Sequence, residues 1–61
     1  MYQYSTFIWV NRKLDESHNL TRGAAFEIAM FALYDKGELV KGVKAEIRHP
    51  HHGLVYSANN P

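Results

Sequence analysis

The chain has no cysteine, so disulfide staples and thiolate zinc sites are excluded. It carries little net charge: Lys and Arg number 7 and Asp and Glu 6, leaving +1 with His neutral. No strong basic field therefore points to nucleic acid, and no acidic tract points to mimicry of it. No apolar run approaches the ~20 residues that span a bilayer. The opening Met1-Tyr2-Gln3-Tyr4-Ser5-Thr6 lacks the positive start of a secretory signal. A cytoplasmic protein with no membrane partner is the expectation. Gly23, Gly37, Gly42 and Gly53 form no phosphate-binding loop. Repeats, low-complexity segments and dividing linkers are also missing.

What is present is apolar and aromatic: 46% of the 61 residues are hydrophobic and 13% aromatic, too much for a disordered tail. This length implies a single compact domain over residues 1–61. A chain of this size buries only about 60% of the surface its unfolded form exposes. Small scaffolds supplement such a core with disulfides, a metal or association, and without cysteine association is the expected supplement.

Residues 2–12 are rich in aromatic and β-branched side chains and read as a strand. Residues 13–20 are polar and read as a connection. Thr21 or Asn19 can cap the helix expected over residues 22–36, with Gly37 as its C′ residue and Lys36 in its last turn. From Val43 onward the chain alternates: Val43, Ala45 and Ile47 point one way, and Lys44, Glu46 and Arg48 the other, as in a half-buried strand. His49-Pro50-His51-His52-Gly53 reads as a turn. Residues 54–57 form a short final strand, and residues 58–61 should fray. The predicted architecture is α+β, in the order β-α-β-β, with one helix packed on a three-stranded sheet.

Residues 24–34 are the most informative stretch. In helical register they are apolar nearly all the way round, with Glu27 their only charge, whereas a surface helix keeps one face polar. The stripe of Ala25, Ala29 and Ala32, flanked by Ile28, Phe26 and Leu33, faces the core. Met30, Phe31 and Tyr34 fall on the opposite side. Burying one such side chain is worth ~1.5–3 kcal/mol, so a partner that hid all three would matter to so small a fold. In the first strand Tyr4, Thr6, Ile8 and Val10 share one face and Ser5, Phe7, Trp9 and Asn11 the other. If the second set points outward, Phe7 and Trp9 lie beside Lys44 and Arg48 on an aromatic and cationic sheet face, suited to binding or covered by its own cationic stems.

Chemistry-bearing constellations are weak. His49, His51 and His52 are metal-ligand types, but adjacent His51 and His52 point apart in an extended chain, and solvated turn histidines are the simpler reading. Ser5, Ser17 and Ser57 occupy no nucleophile context. Asp15, Glu16, Glu27, Asp35, Glu38 and Glu46 imply no acid–base pair. The expectation is a non-enzymatic protein without catalytic residues, metal or cofactor.

Size, lack of cysteine and a sticky surface are similar to the general style of small phage-encoded proteins that inhibit a bacterial machine. That style implies an inhibitor or modulator that binds a larger host protein by steric occlusion. The partner-binding candidates are Phe7, Trp9, Met30, Phe31, Tyr34, Lys44 and Arg48. Two alternatives stand beside it: a single-stranded nucleic-acid binder that stacks bases on the sheet face, and a homodimer formed through the helix face.

Overall fold

The computed structural model describes residues 3–61; Tyr2, expected to begin the first strand, lies outside the described residues. The chain runs β1 (Tyr4–Val10), β2 (Lys13–Leu20), α1 (Arg22–Leu33), β3 (Tyr34–Asp35), β4 (Glu38–Leu39), β5 (Val43–His49) and β6 (Gly53–Asn60). Four strands form one antiparallel sheet in the order β2-β1-β5-β6, and β3 with β4 makes a two-residue hairpin beside it. One helix on a mostly antiparallel sheet is the α+β class expected. The order β-α-β-β and the three-stranded sheet are corrected.

The missed strand is β2. Asn11 and Arg12 both take positive φ (51° and 69°), the turn geometry that joins two twisted antiparallel strands through two residues. The chain thus reverses at once, and residues 13–20 pair with β1 instead of forming a loop. As an edge strand β2 is largely exposed, and so shows no apolar alternation.

The helix begins as expected. Thr21 is extended (φ −69°, ψ 161°) and its Oγ1 accepts the Ala24 N–H at 3.1 Å, satisfying one orphan donor. It ends a turn early. Tyr34 is already extended (φ −130°), and the Leu33 carbonyl accepts from Val40 N–H at 2.8 Å and Asn60 Nδ2 at 2.9 Å. Lys36 and Gly37 (φ 50° and 81°) then form the turn between β3 and β4. Gly37 is therefore a hairpin residue, and Lys36 lies outside the last helical turn.

The core lies between α1 and the centre of the sheet. Ala25, Ala29 and Leu33 are buried against Ile8, Val43, Ala45 and Ile47. The small side chains at 25 and 29 let the helix axis approach β5 and β1 closely. Val43, Ala45 and Ile47 are the buried side of the alternation in β5; burial of each large member contributes ~1.5–3 kcal/mol. The last residues do not fray: β6 continues to Asn60, whose side chain is buried.

Candidate binding surfaces

The sheet has two faces and only one is covered. Thr6 and Ile8 point toward α1, so the alternation in β1 turns Phe7 and Trp9 to the uncovered face. Register places Glu46 opposite Phe7 and Lys44 opposite Trp9 on β5. The Phe7 and Trp9 rings stack with centroids 6.4 Å apart. Lys44 Nζ sits over the Trp9 ring, 5.0 Å from its centroid.

Glu46 controls the electrostatics of this face. Its carboxylate accepts from Arg48 Nε at 3.0 Å, lies 3.0 Å from Arg48 Nη2, and is 3.8 Å from Lys44 Nζ. With a side chain only 15% exposed, it holds both cations against the sheet. Beside it His18 meets the Phe7 ring edge-on at 5.7 Å and bridges Ser5 Oγ (2.9 Å) and Glu16 Oε1 (3.0 Å). Phe7 and Trp9 are half-buried under these neighbours. Leu14 and Leu54, exposed on the flanking strands, extend the face.

The second surface follows the flank of the helix. The β3–β4 hairpin folds back beside α1 and leaves an open groove of about 660 Å³, lined chiefly by Phe26, Met30, Phe31 and Tyr34 with Glu27 and Asp35. Phe31 is 80% exposed, the most exposed of the large apolar side chains among the described residues. Met30 is half-buried and packs on the core as well as lining the groove. Phe26, read from sequence as a core residue, does the same and meets the Tyr56 ring at 5.5 Å.

The seven sequence-derived candidates thus divide between two surfaces. Phe7, Trp9, Lys44 and Arg48 lie on the uncovered sheet face, and Met30, Phe31 and Tyr34 line the helical groove. With α1 packed on the other side of β1 and β5, one flat partner cannot touch both sets. Sequence reasoning missed Asp35 as a groove residue because the hairpin that brings it there was read as helix.

The histidines lie in a turn, with His51 and His52 exposed. Each of their rings approaches His49, at 5.8 and 4.5 Å between centroids, and Tyr4 packs on His49 at 4.7 Å. His51 N–H donates to His49 Nδ1 at 3.2 Å, so that nitrogen carries a lone pair. Partial burial, then the neighbouring charges of His52 and His51, lowers the His49 pKa below its usual value. Among the described residues no three His, Asp or Glu side chains converge as metal ligands, and no helix is long and apolar enough to cross a membrane. No known protein family, curated protein or solved structure matches this chain.

Proposed function

We propose that the chain is a non-enzymatic, cytoplasmic binding module that occludes a site on a larger protein, in the manner of a small inhibitor. Its helical groove takes one apolar side of a short helix or loop of that partner. The observation that carries this reading is the exposure of Phe31 (80%) on a groove walled by Phe26, Met30 and Tyr34. A monomeric surface that gathers large apolar groups around a concavity is the usual signature of an interaction site. Glu27 and Asp35 border it with Lys36, a rim that favours a partner with basic residues flanking its apolar anchor.

The sheet face supports binding less well. Its Trp9 ring is already covered by Lys44, its Phe7 ring is flanked by His18, and its two cations are already partnered by Glu46. Phosphate affinity scales with the charges a protein can bring to the backbone, so this partly neutralised face also weakens the nucleic-acid alternative.

The test is affinity capture from a lysate of the source cell, with the immobilised chain and two variants. Phe31→Ser with Tyr34→Ser should keep the wild-type circular dichroism and melting curve while losing the captured protein. Lys44→Ala with Arg48→Ala should keep it. Capture unchanged by the first pair, or lost only with the second, refutes the groove as the site. Unfolding of the first variant would make both residues structural and also ends the proposal.

A further inference from the structure

The sheet has two free edges, and they are built to opposite rules. On β2 the edge carries Lys13, Asp15, Glu16 and His18, and its ladder with β1 is broken by a register shift near Tyr4 and Thr6. Charges and bulges are what proteins place on edges to prevent pairing. On β6 the eight residues Gly-Leu-Val-Tyr-Ser-Ala-Asn-Asn hold no charge. Its one irregularity falls between the partners of Ile47 and Arg48, at Val55, and leaves residues 56–60 as an unbroken, uncharged edge.

We propose that this edge pairs with its own copy, giving a two-fold dimer in which residues 56–60 of two chains run antiparallel and join two four-stranded sheets into one of eight strands. The choice of a second copy rests on self-complementarity. Ala58 is the midpoint of the regular segment, so an isologous pairing sets Ala58 opposite Ala58, the least bulky contact at the axis. It sets Ser57 opposite Asn59 of the other copy twice, on the face where both side chains are exposed and can hydrogen-bond across the seam. No like charges meet, which the same operation on β2 would not ensure.

The helix side of the seam adds apolar area. Since α1 packs chiefly on β5 and β1, the flank of β6 is only partly roofed, and Val55, Tyr56 and Ala58 remain half-buried. Phe26 leans over Tyr56. Pairing brings the Tyr56 rings of both copies to the seam, next to the Phe26 side chain that also walls the groove. The contact itself is made by β6 and does not use Phe31, so the dimer does not rest on the function proposed for the groove.

Sedimentation across a concentration series tests the assignment with three variants. Ser57→Lys with Asn59→Lys puts like charges opposite each other in this register and should weaken self-association about tenfold or more. Ser57→Lys with Asn59→Glu puts opposite charges in the same places and should restore or strengthen it. Phe31→Ser should leave it unchanged. A wild-type chain that stays monomeric at every concentration overturns the proposal. So does equal association of the two charge variants, or a dimer that dissociates only on Phe31→Ser, which would place the contact on the helix.

Discussion

Asn60 Nδ2 donates to the Leu33 carbonyl at 2.9 Å, joining the last residue of β6 to the last residue of α1 across 27 positions of sequence. The same amide donates to the Val40 carbonyl at 3.1 Å, while the Asn60 carbonyl accepts from Gly42 N–H at 2.9 Å. One buried residue thus ties together the end of the helix, the return of the β3–β4 hairpin and the end of the sheet. Asn60→Ala strands the Val40 carbonyl and should cost about 1–3 kcal/mol. In a domain of this size each kcal/mol lowers the melting temperature by about 4–8 °C. Asn60→Asp should cost more, because a carboxylate would face two carbonyl oxygens. Thermal melts of both variants check the order.

The turn between β1 and β2 holds Arg12 at φ 69°, a left-handed conformation that costs a residue with a Cβ about 1–2 kcal/mol. Asn11 at φ 51° tolerates it better, because its short polar side chain can bond locally. Arg12→Gly removes that strain, which outweighs the ~0.4–1 kcal/mol that glycine adds to the disorder of the unfolded chain. The variant should melt a few degrees higher, and a lower melting temperature would mean the Arg12 side chain makes a contact worth more than the strain.

That turn also explains what could be read in advance and what could not. The core was legible because burial leaves a period: the alanines at 25 and 29 repeat every four residues on α1, and Val43, Ala45 and Ile47 every two on β5. The division of β1 into two faces was legible for the same reason, since Phe7 and Trp9 alternate with Thr6 and Ile8, but not which face the helix leaves uncovered. An edge strand exposed on both sides has no such period, so β2 looked like a loop. Asn60 and the turn at Lys36 and Gly37 were illegible on different grounds. Asn60 is set by side-chain hydrogen bonds to residues distant in the chain, and a polar residue near a chain end gives no local sign of burial. The turn at Lys36 and Gly37 is a local hairpin, hidden because the apolar run before it continues a helical pattern through Tyr34. Of the two surfaces, the apolar side chains of the groove were readable, but its concavity depends on the hairpin and was not.

Glu46 makes a further expectation testable. With Arg48 and Lys44 both drawn to its carboxylate, the wild-type chain should leave the fluorescence anisotropy of a labelled single-stranded oligonucleotide unchanged at low ionic strength. Glu46→Lys reverses the charge at the centre of the face, beside the stacked Phe7 and Trp9 rings. It should bind the oligonucleotide with an affinity that falls steeply as salt rises. Salt-sensitive binding by the wild type would instead make the sheet face a nucleic-acid platform.

The histidine turn gives the chain a pH dependence whose sign follows from geometry. His51 N–H donates to His49 Nδ1, so protonating that nitrogen would set two donors against each other. Partial burial and the adjacent His52 and His51 act in the same direction, and the folded-state pKa lies below the unfolded value of 6.5. Well above 6.5 the imidazole is neutral in both states and its contribution is constant. As pH falls through 6.5 the unfolded chain binds a proton that the folded chain does not, so stability drops until the lowered pKa is passed as well. His49→Gln keeps an acceptor for the His51 N–H but cannot titrate. Urea midpoints from about pH 5 to 8, the range in which imidazole changes charge, should therefore fall more steeply toward acid for the wild type than for His49→Gln. Parallel profiles would show that His49 titrates alike in both states, and that the hydrogen bond to Nδ1 does not hold the ring neutral.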